Sequence, residues 1–107
     1  VYEAVVTRVV SGDMIEAAVD LGFHITTATK MRLLGVEVDH FHVNQDVNKV
    51  IADKAKTELE RLILGQRVLV ETHRSPIDDI WLCVIWFNGS NINRRLLEGS
   101  TVHVYKR

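Results

Sequence analysis

Chemistry in this chain would have to come from a small set of side chains. The densest group is Asp39, His40 and His42. Extended residues two apart point the same way, so an acid and two imidazoles here form a donor set suited to a transition metal. The same three residues suit a solvated loop equally, and spacing alone leaves both readings open. His24, His73 and His103 are isolated and read as surface or strand histidines. Cys83 is the single cysteine, so no internal disulfide can form. It lies in the apolar run Trp81-Leu82-Cys83-Val84-Ile85-Trp86-Phe87, where a small core residue is expected rather than a reactive thiol.

Two further groupings bear on binding. Arg94-Arg95 would form a basic face with Arg61, Arg67, Arg74, Lys106 and Arg107 if folding gathered them. Acids are interspersed throughout, so a mixed-charge surface is the expectation. Trp81 and Trp86 are candidate stacking platforms for bases. Five positions apart on one strand, they point to opposite sides, which puts at least one of them in the core.

These residues need elements to hold them. Val1–Val10 reads as a strand, Ser11-Gly12-Asp13 as a turn and Met14–Asp20 as the hairpin partner, broken by Leu21-Gly22-Phe23. Thr26–Val36 reads as a third strand, with Gly35 marking a bulge or a close backbone approach. Glu37–Asp46 has no clean period and reads as a loop. Val47, Ile51, Ala55, Leu59, Leu62 and Ile63 then recur at spacings of three and four, one apolar helical stripe. Asn44 or Asp46 caps its start and Gly65 ends it. Val68, Val70 and Thr72 alternate in a fourth strand, and Ile80–Phe87 is a fifth, apolar enough for burial on both faces. Asn88-Gly89 signals a tight turn. A short helix, Ile92–Glu98, and a last strand, Thr101–Tyr105, complete the order. The result is α+β and dominated by a β-barrel. It matches a five-stranded oligonucleotide/oligosaccharide-binding (OB-fold) barrel, with one long helix between the third and fourth strands and a short C-terminal helix.

The whole-chain balance narrows the function classes. A chain of 107 residues, 47% hydrophobic and 25% charged, makes one globular domain with a real core, not a disordered tail or a disulfide-built miniprotein. No apolar run approaches the ~20 residues of a membrane span. Thirteen basic against fourteen acidic residues leave a net charge of −1, which disfavours a nucleic-acid binder that gains its affinity from phosphates.

Four segments in order carry a resemblance. They are Val9-Val10-Ser11-Gly12-Asp13-Met14-Ile15, Arg32-Leu33-Leu34-Gly35-Val36-Glu37-Val38-Asp39, the helix end from Ala55 to Val68, and Asn88-Gly89-Ser90-Asn91-Ile92-Asn93-Arg94-Arg95-Leu96-Leu97-Glu98-Gly99. Together they resemble the staphylococcal nuclease-like family. Its patterns are V-x-D-G-D-T, R-L-x-G-I-D-x-P-E, A-x-x-x-L-x-x-L-L-x-G and D-G-x-x-V-N-x-x-L-V-x-x-G. The resemblance implies a calcium-dependent phosphodiesterase ancestry. It places Asp13 and Glu37 at calcium-binding positions, Arg32 at the first phosphate-gripping arginine and His40 at the position of the glutamate that orients the attacking water. A histidine there can act as a general base near neutral pH. Val38 would offer a backbone carbonyl to the ion. The resemblance also implies a helix after the last strand, near Tyr105, where this chain stops; one domain over 1–107 without that helix would leave a barrel flank for a partner to cover.

The chemical positions diverge from the pattern. Counting back from Asn88-Gly89 puts Ile80 at the second arginine, and Asp78-Asp79 bring negative charge where the family keeps phosphate-binding groups. Losing one donor to a developing anionic centre costs about 10²–10³ in rate. The leading expectation is a catalytically degenerate barrel acting as a structural or protein-interaction module, with a protein partner or assembly and no cofactor. The alternatives are a calcium-dependent nuclease with an altered active site, and a nucleic-acid-binding module without catalysis.

Overall fold

In a computed structural model the described residues are 1–38, 44–98 and the backbone of 102–104. Strand β1 (Tyr2–Ser11) pairs antiparallel with β2 (Met14–Gly22), and β2 with β3 (Ile25–Leu33). After β4 (Val36–Val38) and helix α1 (Gln45–Ile63), β5 (Arg67–His73) returns to pair with β1, and β6 (Trp81–Phe87) pairs with β5. The ring closes where β3 and β6 run parallel, with Met31, Arg32 and Leu33 opposite Trp81, Leu82 and Cys83. Strands β1, β2, β3, β6 and β5 thus form a closed barrel of the OB type. The short strand β7 (Ser90–Asn91) and helix α2 (Ile92–Leu97) follow the Asn88-Gly89 turn, and β8 (Val102–Val104) pairs with β4. Among the described residues no helix is long and apolar enough to cross a membrane.

Alternation builds the interior. Ala4, Val6 and Val9 of β1 meet Ile15, Ala17 and Val19 of β2, with Met31, Leu33, Val68, Val70, Cys83 and Ile85 completing the core. Helix α1 starts at Asn44, whose side chain accepts the Asp46 N–H, and it packs through Ala55, Leu59 and Ile63. Only the C-terminal half of the expected stripe is buried; Val47 is exposed.

Three local expectations differ from what is observed. The third strand stops at Leu33, because Leu34 and Gly35 form a turn with Gly35 at φ 77°, so the chain restarts as β4. Strand β2 continues through Gly22, leaving only Phe23 and His24 as the turn. Strand β6 is not buried on both faces, and neither tryptophan is core: Trp81 and Trp86 are each exposed by about two-fifths, at 40% and 39%. They sit on different surfaces, which preserves the opposite-sides expectation.

One buried polar side chain locks these parts together. Asn93 of α2 accepts the Ile85 N–H at 3.0 Å and donates to the Leu34 and Cys83 carbonyls at 3.0 and 2.9 Å. It therefore ties the second helix to β6 and to the β3–β4 turn. Asn93→Ala would leave the buried Ile85 N–H and the part-buried Leu34 carbonyl without their Asn93 partner, a loss of about 1–3 kcal/mol in urea unfolding; a loss under about 0.5 kcal/mol would refute the clamp.

Cys83 is fully buried, and desolvation pushes its thiol up to about 12 from an ordinary 9.0. The thiol is therefore inert in the native barrel, as the sequence suggested. In the unfolded chain it ionises near pH 9, so above that pH the unfolded state binds fewer protons and stability falls until the folded thiol also titrates near 12. Between those limits the wild type should lose up to about 1.4 kcal/mol per pH unit more than Cys83→Ala, measured by parallel urea titrations.

Candidate functional site

The residues singled out by sequence converge through the β1–β2 turn. Gly12 makes this approach possible: a Cβ there would lie 2.5 Å from the Ala55 Cβ and 2.8 Å from the Val38 Cγ2. Only a residue without a side chain lets the turn sit against both α1 and β4. The next residue is Asp13, whose carbonyl accepts the Leu33 N–H at 2.7 Å. Asp13 is thereby anchored beside Arg32, which pairs with Met14 across the β2–β3 ladder. Glu37 follows on β4, adjacent to the Val38 that touches the turn, and opposite His103 in the β4–β8 ladder. Asp13, Arg32 and Glu37 therefore belong to one end of the barrel. His40, with Asp39 and His42, lies outside the described residues.

Each of these groups has local chemistry already. The Ser11 hydroxyl donates to Asp13 Oδ1 at 2.7 Å. The Arg32 guanidinium reaches across the barrel seam to Asp78, with Nη1 3.2 Å from Oδ2. Both partners are mostly covered, at 28% and 32% side-chain exposure. Asp78 is in turn held by its own loop, its Oδ1 accepting the Ile80 N–H at 3.1 Å. An aspartate braced by a turn faces the arginine, so the guanidinium already has a carboxylate partner from within the chain.

The donor set described here does not by itself fit calcium. Two carboxylates, one already accepting a hydroxyl, stand against the six to eight oxygens that ion takes. Among the described residues no three His, Cys, Asp or Glu side chains gather as a metal-holding group.

Sequence reasoning noted Asp78 as a repulsive charge but missed its pairing with Arg32, 46 positions away. No local signal points to that contact; it depends on the parallel β3–β6 seam. Also missed is the open mouth of the barrel, a cavity of about 190 Å³ bounded by Tyr2, Leu21, Thr27, Met31 and Trp81 among others. The Arg74 guanidinium lies over the Trp81 ring, 5.4 Å from its centroid. Of the other arginines, Arg8 pairs with Glu16 and Arg67 with Glu3, as a mixed-charge surface implies. No protein-family model matches this chain, and no curated protein shows significant similarity to it.

Proposed function

We propose that this chain is a catalytically degenerate member of the staphylococcal nuclease-like family, working as a structural or protein-interaction module in a larger assembly. The observation that carries this reading is the Asp78 carboxylate 3.2 Å from Arg32. In an active site of that family the arginine would be open to the scissile phosphate; here a substrate would have to displace an anion built into the chain. The aliphatic Ile80 follows two residues later, at the position where a second cation would stabilise the transition state. The four sequence motifs and the closed barrel support the family part of the reading.

The module part rests on the β2–β3 hairpin. Its two-residue turn holds Phe23 at φ 56° and His24 at φ 63°, left-handed conformations that Asn and Gly adopt at far lower cost. Phe23 is 95% exposed, with Leu21 and Ile25 exposed beside it. A strained turn that presents an aromatic ring to solvent serves contact rather than stability.

Two measurements test this. In a calcium-supplemented assay on single-stranded DNA, neither the wild type nor Asp78→Ala should turn over above the blank; turnover abolished by both Arg32→Ala and Asp13→Ala would overturn the degenerate reading. Replacing Phe23-His24 by Asn-Gly should raise stability by about 1 kcal/mol in thermal unfolding. A destabilised variant would show that the Phe-His pair serves folding and remove the basis for a contact role.

A further inference from the structure

The β2–β3 hairpin runs on past the barrel wall. Its last pair with β1 is Val19 with Ala4, and its first pair with β6 is Met31 with Trp81. Among the described residues the two strands between those points pair only with each other. The outer edge of β3 from Ile25 to Lys30 thus has no strand beside it. From Ile25 to Thr29 that edge carries no charge, proline or glycine, and four of its five residues are β-branched. Those are the residues that normally blunt an edge, and without them it is a template for another strand.

Both ends of this edge are apolar. Phe23 projects at the hairpin tip, 95% exposed. At the other end is the barrel mouth, lined by Leu21, Thr27, Thr29, Met31 and Trp81 among others. Its volume of about 190 Å³ is below the roughly 300–1,000 Å³ of small-molecule sites and suits one large side chain. Opposite charges also flank the edge. Lys30 has no ion pair among the described residues, because Glu16 across the ladder is taken by Arg8. Asp20 accepts only the Gly22 N–H there.

We propose that a second copy of this chain pairs antiparallel with the free edge of β3, centred on Thr27, so that each copy's Phe23 caps the other's barrel mouth. This partner rests on the contact role read from the hairpin above and names its occupant. In that register Ile25 of one copy lies opposite Thr29 of the other, and the tip ring arrives beside Trp81, where aromatic rings pair favourably. Thr26, Lys30 and Asp20 share the opposite face of the sheet, so each Lys30 points toward the other copy's Asp20. An isologous contact requires one surface to complement itself, and edge, ring, cavity and both charges do so under a single two-fold axis. A foreign strand would use the edge and the mouth but leave Phe23 without a cavity. The net charge of −1 opposes self-association little.

The test combines sedimentation equilibrium with cysteine cross-linking of the intact chain. A reversible dimer is expected with a Kd in the micromolar range, since the pairing is short. Phe23→Ala should weaken it roughly tenfold, and Thr27→Lys, which sets like charges opposite each other, should abolish it. Cys83 is buried, so an introduced thiol is the one that reacts. Facing Cα atoms about 4.5–5.5 Å apart suit a disulfide. Thr27→Cys should therefore cross-link to itself under mild oxidation. Ile25→Cys and Thr29→Cys should each fail alone and cross-link when mixed. That pattern leaves Phe23 in place, so it decides the register even if Phe23→Ala does not fold. A chain that stays monomeric at millimolar concentration overturns the second copy as partner, as does a dimer indifferent to Phe23 and Thr27 or the wrong cross-linking pattern. The hairpin's contact role then stands or falls separately, on the stability of the Asn-Gly variant.

Discussion

The barrel depends on how its last seam is held. Strands β3 and β6 meet in parallel over only three residue pairs, the shortest of the contacts that close the ring. A parallel seam of that length is a weak closure by itself. Asn93 reinforces it from outside the sheet, bonding β6 through the Ile85 N–H and the Cys83 carbonyl, and the chain beyond β3 through the Leu34 carbonyl. The Leu34 N–H adds its own bond to the Cys83 carbonyl at 2.9 Å. Because the amide is buried, each of these bonds is made in a setting where an unpaired partner would be costly.

Two charged arrangements follow from that closure. Where β3 meets β6, Arg32 comes within reach of the loop that precedes β6, and Asp78 takes its guanidinium. Where Asn93 seats α2, the next two residues are carried beside the outer face of the same strand, next to Trp86. One strand thus has a paired arginine near its start and, near its end, two arginines without a carboxylate partner among the described residues. The net charge of −1 conceals this separation, since it averages a region where acid cancels base with one where it does not. Arguments from total charge therefore apply to the molecule's field at a distance and not to a particular cleft.

The hairpin and the Gly12 turn show the two opposite uses of unusual backbone. At Gly12 the residue type agrees with its surroundings, since any side chain would strike Ala55 and Val38. At Phe23-His24 it disagrees, since large side chains occupy conformations that favour small ones. Agreement of this kind accompanies folding, whereas the disagreement at the hairpin is the observation behind the contact role proposed for it.

Much of the architecture was legible in the chain alone. Alternation in Val68, Val70 and Thr72, the helical spacing from Ala55 to Ile63 and the Asn88-Gly89 turn are local patterns, and periodicity reports local geometry and burial directly. Asp13, Arg32 and Glu37 were legible as candidates only through the resemblance of their short motifs to the nuclease-like pattern. Long-range partners were not. The bond from Arg32 to Asp78 spans 46 positions, and it exists only because β3 and β6 meet in parallel. The fate of the tryptophans was misjudged for the same reason: a barrel strand's inward face becomes solvent-facing at the mouth, which alternation cannot register. Sequence by itself determined the five barrel strands, the two helices, their order and the inert character of Cys83, because each follows from neighbours a few residues away or from burial in an apolar run. Tertiary structure alone decided that Asp78 takes the Arg32 guanidinium, because that pairing depends on a distance that only closure of the barrel creates.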